Sequence, residues 1–471
     1  MNIENIVQKI WNLCHILRGD GVSYHEYISE LTYLLFLKIA EENGTEDLLP
    51  KGYRWRDLVG YEGPDLLNFY REMLTYLGGH AESENIRKIY AFPTTVFSHS
   101  ENLKAVVDGI ARLDWHSLSM DGMGDIYEGL LSKNSQDARS GAGQYFTPRA
   151  LVDSIVKLVQ PALGDVVQDP ATGSGGFLIS ADQQLRARVA PDEYDRNPPK
   201  YEGVEIEKAT FRICLMNAFL HQLDSRLILG DALTSDADLL SPADVILANP
   251  PFGAKAGSAR KLREDITYGG ANKQLAFLQH IYLGLKPGGR AAVVLPDNVL
   301  FEEGVGQKIR RELMELCNLH TILRLPSGIF YSPGVKTNVL FFVRGETDSG
   351  NTETVWVYDM RHEAPRFGKK RPLTAGDFEP FESAFGSDPS GNAPRVSEGE
   401  GGRWRSYDRR AIADRSDNLD LIWLGGSDPA PEELPAEPEE VAAAIIGHLR
   451  NALADIQAVA DELGDSSGAA Q

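Results

Sequence analysis

Only three cysteines, Cys14, Cys214 and Cys317, are scattered through 471 residues, with no Cys-x-x-Cys pair and no Cys/His cluster. That spacing disfavours a disulfide scaffold and a zinc site, so no metal is expected, and each thiol is expected to be a small buried apolar group. No apolar run approaches the roughly 18–20 residues that a membrane span needs. The first residues, MNIENIVQKI, are acidic and polar where a signal peptide is basic and then apolar. Together these absences predict a cytoplasmic protein with no membrane partner. Positive charge is scarce as well. The net charge of −21 argues against a free-standing nucleic-acid binder, which usually carries a basic footprint. The imbalance is uneven: residues 428–465 hold ten acids and one Arg, whereas residues 361–373 hold five Lys/Arg and one Glu.

What is present has the balance of a globular chain, 42% apolar and 24% charged, and its length suggests about three units. Residues 1–135 read as helical. Ile3, Ile6, Val7, Ile10 and Cys14 recur at helical spacing, Tyr27 to Ala40 is a second apolar helix, and Asp121 to Leu131 a further one. Residues 136–345 alternate short apolar runs with helical patterns: Val166–Gln168, Gly203–Glu205, Leu227–Leu229, Val245–Ala248, Ala291–Leu295, His320–Leu325 and Asn338–Val343. Such alternation predicts an α/β fold with a parallel-type sheet. Residues 346–471 read as a C-terminal extension. It has a Gly/Ser/Pro linker at 386–402 and a terminal helix at about 438–464, with Val441, Ile445, Leu449, Ala452, Ile456, Val459 and Leu463 in one stripe.

The first expected strand runs into Asp169-Pro170-Ala171-Thr172-Gly173-Ser174-Gly175-Gly176-Phe177, a tight glycine-rich turn opening a helix. Glycines there permit positive φ and close approach of backbone to a ligand. Neither a Gly-Lys-Ser/Thr phosphate loop nor the G-x-G-x-x-G dinucleotide spacing is present. A carboxylate at this mouth repels pyrophosphate and attracts an ammonium group, which fits the amino-acid end of S-adenosylmethionine. Glu205 ends the second strand, where a carboxylate can accept ribose hydroxyls. Asp231 follows the third, within reach of an adenine amino group.

The fourth strand ends in Asn249-Pro250-Pro251-Phe252. Two prolines fix the backbone and remove two amide donors, leaving free carbonyl acceptors. An amine held by the Asn249 amide oxygen and the Pro250 carbonyl is drawn toward sp³ geometry, and its lone pair becomes available for attack. Phe252 offers a flat face to an extrahelical base, which must be held by stacking and edge contacts.

DPATGSGGF and NPPF resemble motifs I and IV of the S-adenosylmethionine-dependent amino-methyltransferases. The upstream segment Gln144-Tyr145-Phe146-Thr147-Pro148-Arg149 resembles motif X, which packs over the methionine part of the cofactor. The order X, I, IV is that of the γ-type DNA adenine methyltransferases. With DGMGDIYE, ANKQLAFLQH, KPGGRAAVVLPDNVLF and LPSGIFYSPGVKTNVLFF, residues 1–345 resemble the modification subunit of type I restriction-modification systems. The resemblance implies a Rossmann-like methyltransferase sheet preceded by a helical domain, S-adenosylmethionine as methyl donor, and N6 of adenine in double-stranded DNA as acceptor. By motif, Gln144 to Arg149, Asp169, Thr172, Gly173, Ser174, Gly175, Gly176, Phe177, Glu205 and Asp231 contact the cofactor, and Asn249, Pro250, Pro251 and Phe252 hold the flipped adenine. The Gly- and Lys/Arg-rich loop from Ala254 to Asn272 is the candidate for closing over DNA.

Other acceptors share this logic. Protein-glutamine N5-methyltransferases usually carry Tyr after the prolines and lack the QYFTP segment; N4-cytosine enzymes typically begin the motif with Ser. A catalytically idle adaptor, a Rossmann dehydrogenase and a γ-type subunit of another phage-defence system are the remaining alternatives. No region adequate to read base edges follows Arg344. The family supplies that reading through a separate specificity subunit, flanked by two modification subunits and joined by a restriction subunit. The terminal helical stripe is the candidate docking element. Deletion of residues 438–471 is expected to weaken assembly while cofactor binding stays intact; unchanged co-purification with the partner contradicts this.

Overall fold

The computed structural model describes residues 3–18, 22, 24–91, 93–115, 126–131, 133, 147–253, 261–268, 272–326, 328–330, 336–361, 365, 367, 371–399 and 401–421. The terminal stripe at 438–464 and the segment Gln144 to Phe146 lie outside them. Among the described residues no helix is long and apolar enough to cross a membrane. These residues pack as two compact units. One comprises those of 1–146, 173–175 and 205–229; the other comprises those of 147–172, 176–204 and 230–421.

The first unit is built on helices. Helix Ile3–Arg18 buries Ile6, Val7, Ile10 and Cys14, the expected face, together with Leu17. Helix Tyr24–Glu42 has no polar face over residues 31–40, all of which are buried; such a segment forms only where neighbours cover it on every side. Residues 126–131 are helical, as the spacing predicts, with Ile126, Tyr127, Leu130 and Leu131 buried. Helix Lys208–Leu220 belongs to this unit, although the sequence pattern groups it with the sheet. Arg212 on it donates to the carbonyls of Ile89 (2.9 Å) and Ala91 (3.4 Å), with its guanidinium 4.7 Å from the centre of the Tyr33 ring. Phe219 packs against Phe36, centroids 4.7 Å apart. Strand β3 (Ser225–Leu229) completes the unit.

Among the described residues the second unit carries eight strands of one sheet. They are β1 (Val166–Asp169), β2 (Lys200–Glu205, whose last residue falls in the first unit), β4 (Ala243–Ala248), β5 (Leu285–Pro296), β6 (Cys317–Arg324), β7 (Thr337–Arg344), β8 (Thr354–Asp359) and β9 (Trp404–Asp408). Their order is β2-β1-β4-β5-β7-β6-β8-β9. All seven apolar runs named from sequence are strands. Two features differ from expectation. Strand β7 is antiparallel to both β5 and β6, so the sheet is mixed. The reversal follows from a direct return after β6: only residues 325–336 connect β6 to β7, with no crossover helix among those described. In addition, β8 and β9 extend the same sheet beyond residue 345, β8 parallel to β6 and β9 antiparallel to β8. Trp356 and Trp404 stack across the latter pair, centroids 5.1 Å apart.

Val245–Ala248 of β4 and Ala291–Leu295 of β5 are continuous buried apolar runs, the signature of strands covered on both faces. Helix Val305–Leu316 lays Ile309, Leu313 and Met314 on the core. Arg310 on the same helix is only 1% exposed. Its Nε donates to the Asp417 carbonyl (2.7 Å) and its Nη1 to the carbonyls of Val299 (3.0 Å) and Glu302 (2.8 Å), fastening the 409–421 segment to the sheet's helical cover. Arg310→Met removes those donors and is expected to cost about 3 kcal/mol, at roughly 1–3 kcal/mol per buried polar group left unpaired. An unchanged urea midpoint contradicts that role.

Candidate active site

In parallel α/β sheets ligands bind outside the carboxyl ends of the strands, at the point where strand order reverses. Here that point lies between β1 and β4. They pair in parallel with Val167 opposite Val245 and Gln168 opposite Ile246. Asp169 and Asn249 therefore leave the sheet at the same edge.

On the β1 side, Asp169 is 1% exposed and its Oδ1 accepts from Ala171 N (3.0 Å). Thr172 turns the chain toward β2, its N and Oγ1 both donating to the Val204 carbonyl at 3.0 and 3.1 Å. Gly173 and Gly175 have φ of +53° and +84°, the left-handed conformations that the glycine-rich turn requires. Gly176 opens helix Gly176–Arg186, and Phe177 is buried on it.

In the helical unit, Gly173 N donates to Glu205 Oε2 (3.0 Å), and Glu207 N donates to Oε1 (2.8 Å). Burial pushes the Glu205 carboxyl above its usual range, opposed by these backbone donors. Each oxygen keeps lone-pair capacity for a further donor. Asp231, in the sheet unit, caps its own turn, with Oδ1 accepting from Leu233 N (3.0 Å).

On the β4 side, Asn249 Nδ2 donates to Thr147 Oγ1 (2.9 Å). The Asn249 Oδ1 is buried and has no hydrogen-bond partner among the described residues. An unpaired buried acceptor costs about 1–3 kcal/mol, so such an atom calls for a specific explanation; Asn217 Oδ1, in the helical unit, is another buried oxygen of this kind. Pro250 is buried, and Pro251 and Phe252 are half-buried. Gly253, at φ +118°, closes the turn: its N donates to Gln274 Oε1 (3.1 Å) and its O accepts from Lys273 N (3.2 Å).

Three residues beside these turns, two in the helical unit and one in the sheet unit, do not stand out in the sequence. Gln274 is one, inside the segment ANKQLAFLQH. Asn217, 1% exposed on helix Lys208–Leu220, donates Nδ2 to the Ser174 carbonyl (3.0 Å). Its signal is a lone amide inside the apolar run Met216-Asn217-Ala218. Ile206, next to Glu205, is 60% exposed, an apolar face beside the carboxylate. Of the motif X segment, Thr147, Pro148 and Arg149 are described; Arg149 pairs with Asp153 (2.9 Å) at the start of helix Arg149–Val159. Of the loop from Ala254 to Asn272, residues 261–268 and 272 are described. Arg263 Nη1 lies 2.9 Å from His280 Nδ1. Burial lowers the His280 pKa to about 3, so the ring is neutral and accepts from the guanidinium.

Known proteins resemble this chain over its whole length. Residues 118–420 match the family N-6 DNA Methylase, and residues 6–110 match the HsdM N-terminal domain. The chain is 42% identical to the type I restriction enzyme StySPI methylase subunit of Salmonella potsdam, over 98% of this chain and 96% of the relative. Among solved structures, the EcoKI M protein is 39% identical with a TM-score of 0.56, covering 98% of this chain and 96% of that one. A chain from a study of complex assembly and conformational transition of the type I R-M system is 26% identical with a TM-score of 0.73, covering 100% of both chains. Whole-length likeness of this kind makes the chain a member of the N-6 DNA methylase family and of its type I restriction-enzyme methylase subunits.

Proposed function

We propose that this chain transfers a methyl group from S-adenosylmethionine to N6 of adenine in a specific sequence of double-stranded DNA, as the catalytic subunit of a type I restriction-modification complex. The observation that carries this reading is the buried Asn249 Oδ1 at the carboxyl end of β4, unpaired among the described residues. When bound, S-adenosylmethionine supplies an electrophilic methyl group on a sulfonium. The chain's own residues do the rest. Asn249 Oδ1 and the Pro250 carbonyl accept the two N6 protons and orient the nitrogen lone pair. Phe252 stacks on the flipped base. The extra proton leaves for water after transfer, so no strong general base is needed.

Asp169 would hold the cofactor's ammonium, and Glu205 would accept its ribose hydroxyls through the lone pairs its backbone donors leave free. Asp231 would take the adenine amino group, and the exposed Ile206 would offer that ring an apolar face. Gly173 to Gly176, with Thr172 and Phe177, form the backbone cradle. Gln144, Tyr145, Phe146, Pro148 and Arg149 complete the cofactor contacts by motif.

The likeness to StySPI-type methylase subunits over nearly the whole length favours this reading over a glutamine or cytosine acceptor. In the full complex a separate specificity subunit carries sequence recognition, two copies of this chain flank it, and a restriction subunit joins them in the cytoplasm. The net charge of −21 supports that division, since partners can then supply phosphate contacts.

Two expected outcomes follow. Asn249→Ala, assayed with labelled S-adenosylmethionine on unmethylated duplex in the presence of the specificity partner, should lose methyl transfer by on the order of 10²–10³-fold, the usual effect of removing one transition-state hydrogen-bonding group. Near-normal turnover contradicts the role. Gly175→Asp forces a side chain onto left-handed backbone and a negative charge into the turn. Calorimetry should find cofactor binding lost, and intact binding would move the cofactor site elsewhere.

A further inference from the structure

The motif resemblance gives Thr147 to the cofactor. The geometry points to another role. We propose that Thr147 is a positioning residue for methyl transfer, its hydroxyl holding the Asn249 amide with Oδ1 turned toward the substrate amine. The inference rests on the adenine-methyltransferase reading above.

A carboxamide is nearly symmetric in shape but opposite in polarity at its two ends. Turned by 180°, Asn249 would present NH₂ to the incoming NH₂, donor against donor. In the observed orientation Nδ2 is satisfied at 2.9 Å by Thr147 Oγ1, and Oδ1 is the atom left unpaired among the described residues. The reversed orientation would bury an orphaned N–H instead, which proteins tolerate less readily than an under-used oxygen.

Thr147 is well placed to hold the amide there. Pro148 restricts the backbone of the residue before it to extended conformations. The Pro148 carbonyl accepts from Leu151 N (2.9 Å) and Val152 N (3.1 Å), starting helix Arg149–Val159. Leu151, Val152, Ile155, Val156 and Val159 bury that helix's apolar face. The hydroxyl is thus delivered from a packed element, 102 residues away in sequence from the amide it holds.

Thr147→Val keeps the side chain's shape and removes the hydroxyl; Thr147→Ser keeps the hydroxyl. Both variants, with Asn249→Ala as control, are assayed as full-length chains co-purified with the specificity partner, measuring kcat, the KM for duplex and S-adenosylmethionine affinity by calorimetry. For Thr147→Val the expected result is a kcat at least about tenfold lower, with cofactor affinity within about twofold of the parent. Thr147→Ser should return kcat to within about threefold. An unchanged kcat in Thr147→Val, a tenfold loss of cofactor affinity, or a failure of Thr147→Ser to recover the rate overturns the proposal. Normal turnover by Asn249→Ala would instead remove the reading on which it rests. An inactive Asn249→Ala beside a normal Thr147→Val removes only the role of Thr147.

Discussion

The parallel pairing of β1 with β4 is the constraint on which the site depends. With Gln168 opposite Ile246, both strands run out at one edge, with Asp169 and Asn249 at their carboxyl ends. A parallel pair cannot be joined by a hairpin, so each strand must hand over to a turn and a longer connection. Those two turns solve different problems. The β1 turn uses left-handed glycines to bring bare backbone close to a ligand. The β4 turn uses prolines to strip donors from the backbone and leave acceptors.

Buried polar groups then fix what the turns have arranged. Thr172 is tied to Val204, Gly173 to Glu205, Ser174 to Asn217, Asn249 to Thr147 and Gly253 to Gln274. These pairings give the unpaired Asn249 Oδ1 its meaning. On the proposed function, this oxygen, without a partner among the described residues, is the acceptor for a donor from outside. The catalytic power assigned to it is electrostatic and preorganised: the acceptor is desolvated and aimed before the amine arrives.

Much of this is legible in sequence because the governing patterns are local. The seven apolar runs from Val166 to Val343 announce strands, DPATGSGGF announces a turn needing left-handed glycines, and Asn-Pro-Pro-Phe announces free acceptors. What is not legible depends on distant partners. Apolar periodicity carries no direction, so the reversal of β7 cannot be read from it. Strand β8 alternates inward Val355 and Val357 with half-buried Trp356, but its identity as a strand rests on β6, some thirty residues earlier. Helix Lys208–Leu220 lacks a polar face because the N-terminal helices cover it, a fact its own sequence only hints at. Thr147 reads as a cofactor contact because its motif neighbours set its role; its bond to Asn249 spans 102 residues.

The most direct test of the central claim is a structure of the complex with target duplex and a non-reactive analogue of the methyl donor. The account predicts a flipped adenine whose N6 lies within hydrogen-bond distance, about 2.7–3.2 Å, of both Asn249 Oδ1 and the Pro250 carbonyl. A flipped base held by other groups, with Asn249 Oδ1 still unpaired or hydrogen-bonded to protein, would contradict it.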